Sequence, residues 1–172
     1  MLHGWAPSVG QFLAGTVAGI LCTAAAHDML ARTVPNWMPL TIATIGMIES
    51  AMGGRLIASL LAGGFVFILS GMCWKRGWLG GGDVKLLGAV AVALPPVLVP
   101  PFVVAVALAG GVLSLFYLLL GRIIPVSAPR CPAVRPVGLL RRAWRLERRR
   151  LRRGGPLPYA IAIAAGGLFV IL

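Results

Sequence analysis

Acidic residues are scarce in this chain of 172 residues, which has 4 Asp and Glu against 16 Lys and Arg. Charged residues make up 12% of the chain, against roughly 25% in an ordinary soluble domain. A chain of this composition has too little polar surface for a soluble globular enzyme. Apolar residues make up 59%, which excludes disorder, because disordered chains are poor in apolar residues. The composition therefore indicates a polytopic membrane protein.

Cysteine is also rare, and its spacing excludes two kinds of framework. Cys22, Cys73 and Cys131 form no CxxC pair, so the sequence predicts neither a zinc site nor a disulfide framework. The first 27 residues lack Lys and Arg, and with them the basic region that opens a signal peptide. We therefore expect the N-terminal segment to be a retained membrane span.

Long stretches without formal charge indicate the membrane spans. A transmembrane helix needs about 20 mainly apolar residues. The stretch 86–121 would form a helix of about 54 Å, against a hydrocarbon core of about 30 Å, so it must fold back. A cluster of four prolines at 95–101 marks the bend, because each proline removes an N–H. We expect an all-α membrane protein, one domain over 1–172, with six spans at 8–27, 37–54, 55–74, 84–99, 101–121 and 158–172.

The basic residues predict the orientation of these spans. The connections on one side hold 15 of the 16 Lys and Arg, and those on the other side hold only Arg55. Cytoplasmic loops carry the excess of basic residues. The first set is therefore expected in the cytoplasm and both termini outside.

The long connection 122–157 holds eleven arginines. Residues 139–153, LLRRAWRLERRRLRR, place leucines and Trp144 on one broad helical side and arginines elsewhere. This pattern is typical of a helix lying on an anionic membrane surface, where each Arg contributes about 1 kcal/mol. An orienting charge block with no further role explains the run equally well. We expect no nucleic-acid binding, because lipid is the nearer anion.

Two of the four acids lie at the cytoplasmic ends of predicted spans. Asp28 ends the first span and Asp83 begins the fourth, whereas Glu49 lies near the outer boundary. Two neighbouring carboxylates can share a proton, because like charges at close range resist simultaneous ionisation. One acid then activates water as a base and the other protonates the substrate, without a metal or cofactor. The alternative is structural: each Asp caps a helix or pairs with Arg32 or Lys85.

The residues around each acid favour a functional role. Asp83 follows Gly80-Gly81-Gly82, and glycines there would permit positive φ and a close backbone approach. After Asp28, Pro35 disfavours helix at Val34, which predicts a structured turn into the second span. We also expect glycines within the spans, such as Gly15, Gly63, Gly64 and Gly110, to let helices pack closely.

Together the two segments resemble the type IV prepilin peptidases, bacterial membrane aspartyl peptidases with a GxGD motif. The first segment of that family has an Asp followed by Arg and Ile-Pro-Asn, and the second reads Gly-x-Gly-Asp-x-Lys-Leu. Val34 replaces the Ile here, and Ala160 replaces the Gly of a late Pro-Tyr-Gly. The matching positions are Asp28, Arg32, Pro35, Asn36, Gly80, Gly82, Asp83, Lys85, Leu86, Pro158 and Tyr159.

The resemblance implies an endopeptidase of the bacterial inner membrane that removes the basic leader of a prepilin at the cytoplasmic face. Asp28 and Asp83 would be the catalytic pair. Substrate binding or loop shaping would fall to Arg32, Pro35, Asn36, Gly80, Gly82, Lys85, Pro158 and Tyr159. The chain looks like the short form associated with tight-adherence (Flp) pili. Long members carry CxxC motifs and also methylate the pilin, an activity not expected here.

A second hypothesis assigns the chain to another class. A non-enzymatic transporter or pilus-assembly subunit could use Asp28 and Asp83 as a proton or ion site. A transporter would predict paired repeats with broken helices, and no convincing repeat relates the two halves of the sequence.

Overall fold

The computed structural model describes residues 6–31, 33–123 and 159–171. Within these ranges the protein is helical and has no strands, as the sequence predicts. A short 3-10 turn, Pro96–Leu98, precedes the fifth helix. The helices in chain order are α1 (Ala6–Ala31), α2 (Trp37–Met52), α3 (Leu56–Lys75), α4 (Gly81–Ala93), α5 (Val99–Ile123) and α6 (Tyr159–Ile171).

Each predicted span coincides with one of these helices, but the bounds differ most around the prolines. The bend lies at Leu94 and Pro95, where the chain becomes extended and α4 ends. Pro100 and Pro101 lie instead in the first turn of α5. A proline is tolerated there because the first N–H groups of a helix have no partner inside it. The fourth span is therefore shorter than predicted, and the fifth begins two residues earlier.

Glycines end two of the helices by the same geometry. Gly54 and Gly77 adopt φ of 65° and 76°, a left-handed conformation that glycine reaches without a steric penalty. After α3, Gly77 N donates to Trp74 O and Trp78 N to Cys73 O. Equivalent hydrogen bonds follow α2. Both ends are Schellman motifs, which satisfy the last carbonyl groups of each helix.

Helix α4 lies at the centre of the packing. It contacts α2, α3 and α6, and most of its residues between Asp83 and Ala91 are buried, as expected of a helix that is apolar on all sides. It runs antiparallel to α3: Trp74 lies over Gly81, Phe67 over Gly88, and Val92 over Gly63. Glycines at these points allow the two backbones to approach closely.

Helix α1 packs against α6 and α2. The Leu21 side chain fits against Gly167 of α6 and belongs to the same apolar core as Val90 of α4 and Phe102 of α5. This packing connects the helix that carries Asp28 to the last described helix.

The chain divides into two compact units. The described part of the first comprises the helices up to Gly110 together with α6. The described part of the second is α5 from Gly111 onwards. There the Phe116 and Tyr117 rings make an edge-to-face contact with centroids 6.2 Å apart.

Within the described ranges, three helices are long and apolar enough to cross a membrane: α1 over Ala14–Ala31, α3, and α5 with its preceding turn over Pro96–Leu119. On α3, Ile57, Leu61, Phe65 and Ile68 are each at least 66% exposed. A continuous apolar face of this kind is what lipid covers. The six-span count and its orientation stay predictions. The predicted surface helix at 139–153 lies outside the described residues.

Candidate active site

The start of α4 places Asp83. Gly80 is extended, with φ −76° and ψ 147°, and Asp83 follows as the third residue of the helix. The Gly80 N–H donates to Asp83 Oδ2 at 3.3 Å, which is half of a capping box. The side chain is 8% exposed. A helix N-terminus favours negative charge, so this position suits a carboxylate.

The three glycines before Asp83 have ordinary dihedral angles, and what matters is the room that they leave by having no side chain. Positive φ among the described glycines is confined to Gly54 and Gly77, so Gly80–Gly82 do not adopt the positive φ that glycine would permit there. A Cβ on Gly80 would lie 2.8 Å from Asp83 Oδ2. Gly80 therefore leaves the room that the Asp83 carboxylate needs, and the close approach of a peptide backbone to this loop stays a prediction.

Asp28 lies in the last turn of α1 and is 7% exposed. The helix runs three residues beyond it, to Ala31, so Asp28 does not end the helix as expected. Its neighbour His27 donates through Nδ1 to the Thr33 carbonyl oxygen at 2.6 Å. This bond joins the last turn of α1 to the connection that follows. His27 is absent from the candidates predicted from sequence, where its only signal is adjacency to Asp28.

The two acid-bearing segments meet through their flanking residues. Val34 lies directly over Gly82, since a Cβ built on that glycine would be 3.1 Å from the Val34 Cβ. Lys85 Nζ donates to Asn36 Oδ1 at 2.9 Å. The connection after Asp28 is thus packed and hydrogen-bonded onto the first turns of α4. Asn36, Gly82 and Lys85 are positions that match the family pattern, and Val34 stands where that pattern has Ile. These four residues form the junction.

The position of Lys85 on α4 bears on two predictions: a pair with Asp83, and a role in substrate binding or loop shaping. At 3.6 residues per turn, Lys85 lies about 200° around α4 from Asp83. Its hydrogen bond goes to Asn36, so the predicted alternative of an Asp83–Lys85 pair is wrong. Lys85 and Asn36 also line a groove formed by α2, α3 and α4, whose lining does not include Asp83. Of the two expected roles, this placement favours loop shaping.

The other candidates are distributed as follows. Pro35 lies in the irregular connection before α2 and is half-buried. Tyr159 begins α6, and its ring lies over Gly110 of α5, with atoms 3.1 to 3.3 Å from a Cβ built there. Arg32 and Pro158 lie outside the described residues.

Glu49 lies away from this junction, at the turn between α2 and α3. Arg55 Nη2 donates to Glu49 Oε1 at 3.1 Å, and both side chains are about one-third exposed, at 31% and 34%. The ion pair spans the Gly53–Gly54 turn. Its position agrees with the sequence-based exclusion of Glu49 from the site.

The chain matches the type IV leader peptidase family over residues 15–115, more than half of its length. The chain belongs to the type IV leader peptidase family. The matched range contains both acid-bearing segments and ends before Tyr159. No curated protein and no solved structure matches the chain.

Membership in the type IV leader peptidase family confirms the family suggested by the sequence motifs. It identifies the chain as a peptidase, and with the long apolar helices as a membrane protein. A peptidase acts on a protein substrate. The family match supports this reading over a transporter or an assembly subunit.

Proposed function

We propose that this protein is an aspartic endopeptidase of the bacterial inner membrane that removes the leader of type IV or Flp-type prepilins. Asp28 and Asp83 act as the catalytic pair. The observation that carries the proposal is the junction of their segments, through Val34 on Gly82 and Asn36 on Lys85. Both acids are buried, at 7% and 8% exposure, and each lies within six residues of this junction along the chain.

The chemistry follows from two acids in different protonation states. An ionised carboxylate takes a proton from water as that water attacks the scissile carbonyl, and a protonated carboxyl delivers its proton to the leaving amine. Burial strengthens such interactions, because water no longer screens them. The reaction needs no bound metal or cofactor, since both proton transfers fall to the aspartates. The Gly80 N–H holds one oxygen of Asp83 in place.

The fold and placement are part of the same proposal. Residues 1–172 act as one membrane-embedded peptidase domain with six spans, and Asp28 and Asp83 face the cytoplasm, on the side with 15 of the 16 basic residues. The Arg-rich stretch 122–157 lies against anionic lipid, and nucleic acid is not a partner.

A reporter active only outside the cytoplasm should be active after Leu172 and silent near Arg135. The reverse pattern would contradict the orientation.

The decisive experiment combines purified protein in lipid with a candidate prepilin and follows the loss of the leader by mass spectrometry. Asp28→Asn and Asp83→Asn keep the side-chain size and remove the titratable group, so each should lower cleavage by about 10²-fold or more. The double variant should lose little more than either single variant, because residues that act as a unit fail together.

Glu49→Gln is the matched control, because it removes a carboxylate that is paired with Arg55 away from the junction. It should retain cleavage. Expression is checked by blot, and helix content by circular dichroism, so that a folding defect is recognised. Full cleavage by a well-folded Asp28→Asn or Asp83→Asn variant would remove that residue from the mechanism. Zinc chelators should leave the wild-type rate unchanged.

A further inference from the structure

The His27 side chain links the last turn of α1 to the connection that precedes α2. Its Nδ1 donates to the Thr33 carbonyl oxygen at 2.6 Å, six positions further along the chain. A carbonyl oxygen can only accept a hydrogen bond, so Nδ1 must carry the hydrogen. The bond therefore selects one tautomer of the neutral ring and holds the connection against the end of α1.

From Thr33 the path to α4 is short. The next residue, Val34, lies over Gly82, with 3.1 Å between the Val34 Cβ and a Cβ built on that glycine. The residue after Gly82 is Asp83. At the other end of the path, the residue after the histidine is Asp28. One hydrogen bond and one packing contact thus connect the chain neighbours of the two acids.

The end of α1 gains little from packing beyond Asp28. Met29 and Leu30 are 47% and 52% exposed, and Ala31 is exposed as well. These residues add few contacts within the described chain, and helix ends are where local opening costs least. A histidine near a helix C-terminus can restrain that end by bonding a carbonyl group. The His27 bond has this effect in the turn that carries Asp28.

We propose that His27 is a positioning residue for the catalytic pair. Its hydrogen bond to Thr33 holds Asp28 where both acids can act on one substrate bond. This role rests on the proposed function, in which Asp28 and Asp83 act together and both proton transfers stay with them. Because misplacing a reacting group by about 1 Å can cost 10²-fold in rate, loss of the restraint affects the chemical step more than substrate binding.

The test removes the hydrogen-bond donor and then restores it. His27→Leu deletes the ring nitrogen, whereas His27→Asn keeps a donor, because the amide nitrogen of Asn is bonded to Cγ as the His Nδ1 is. In His27→Leu, kcat should fall about five- to tenfold, since one ordinary hydrogen bond shifts an equilibrium by about fivefold. KM should change by less than about twofold, because the loss lies in the transition state. His27→Asn should recover most of kcat.

Thr23→Val is the matched control, one turn earlier on the same helix. Thr23 is exposed, and its hydroxyl donates to the Gly19 carbonyl oxygen at 2.6 Å within α1. The variant loses a side-chain hydrogen bond of the same length away from the connection, so kcat should stay at the wild-type value. Melting temperatures in detergent, measured for every variant, identify any that is unfolded.

Three outcomes would overturn the proposal: a wild-type kcat in His27→Leu, an equal loss of kcat in Thr23→Val, or no recovery in a folded His27→Asn protein. An equal loss in the control would reduce His27 to a residue that only stabilises α1. Failure of the wild-type protein to cleave any prepilin would instead contradict the proposed function.

A second measurement depends neither on cleavage nor on the folding of the His27 variants. The chain has 2 His, so protein with His3→Gln and isotopically labelled histidine gives the ring-nitrogen signals of His27 alone. Magnetic resonance in lipid, at a pH where the ring is neutral, should show the hydrogen on Nδ1. A hydrogen on Nε2 instead would remove the bond to Thr33, and the proposal with it.

Discussion

The two ends of the bundle formed by α2, α3 and α4 both contain a carboxylate, but they hold it differently. At the α2–α3 turn, Glu49 accepts a hydrogen bond from the Arg55 guanidinium and is one-third exposed. At the opposite end, Asp83 is buried and accepts a hydrogen bond from a backbone amide. The Glu49 carboxylate joins the two sides of a turn through a cation, whereas the Asp83 carboxylate accepts a backbone N–H at the start of a helix and is proposed to act in catalysis.

The contacts around the two carboxylates also differ. Those at the α2–α3 turn join helices, and those at the Asp83 end hold a connection between helices. Near the α2–α3 turn, Ser50 Oγ donates to Ser59 Oγ at 3.1 Å, and Gly46 packs against Ala93. These contacts join α2 to α3 and to α4 and fill the space between the helices. At the Asp83 end, the connection after α1 is laid over the first turns of α4 through Val34 and Asn36. Substitutions should therefore affect activity at one end and mainly stability at the other.

Gly80→Ala should show the largest effect after the aspartates themselves. The dihedral angles of Gly80 suit alanine, so the backbone is not strained. The new Cβ would lie 2.8 Å from Asp83 Oδ2 and must displace that oxygen. Because misplacing a reacting group by about 1 Å can cost 10²-fold, we expect cleavage to fall by roughly ten- to a hundredfold, measured as kcat/KM.

Gly71→Ala provides the matched control for this substitution. No atom of the described chain lies within 4 Å of a Cβ built on Gly71, so the same change there should leave cleavage at the wild-type rate. Equal losses in both variants would indicate a general effect of alanine on the fold. An active Gly80→Ala protein would show that the position of Asp83 Oδ2 is not critical.

The Asn36–Lys85 hydrogen bond should have an intermediate effect. Asn36→Ala and Lys85→Met each remove one partner of a 2.9 Å bond, worth about 1 kcal/mol at this site. We expect thermal stability in detergent to fall and cleavage to drop a fewfold, because the junction loosens. A double-mutant cycle should show coupling of about 0.5 kcal/mol or more.

The same cycle distinguishes loop shaping from substrate binding. If both residues act only by holding the junction, the stability effects are non-additive and KM changes little. Additive losses of stability, together with a large rise in KM for Lys85→Met alone, would instead assign Lys85 to the substrate.

The Glu49–Arg55 pair should have the smallest effect. An ion pair with both partners about one-third exposed contributes roughly 0 to 1 kcal/mol. Glu49→Gln should therefore lower the melting temperature slightly and change kcat/KM by less than about twofold. Differential scanning fluorimetry and the cleavage assay measure the two quantities. A loss of cleavage as large as that of Gly80→Ala would mean that the two ends do not differ in function.

Much of the local structure was predictable. The charge-free stretches predicted the described helices at the right places, and Pro35 marked the connection before α2 correctly. The proline bend was only partly predicted, because Pro95 ends α4 whereas Pro100 and Pro101 fit the first turn of α5. Gly54 and Gly77 carried a usable signal for the ends of α2 and α3, each one position past the helix cap.

The packing of the glycines was not predictable in the same way. Gly63 and Gly110 are in close contact with Val92 and Tyr159, as expected. Gly15 and Gly64, expected to behave alike, have no atom of the described chain within 4 Å of an added Cβ. All four are glycines within apolar helices. The side of the helix on which each one lies, and what packs there, decides the outcome.

The sequence by itself determined the helical fold class, the family and the two acidic segments, because these depend on composition, on local apolar runs and on short motifs. Tertiary structure decided that Lys85 binds Asn36, 49 positions away, that Val34 covers Gly82, and that the Tyr159 ring lies over Gly110. Such contacts depend on how α2, α4 and α6 pack together. Residues far apart in the chain meet only when helix register and close packing are set together.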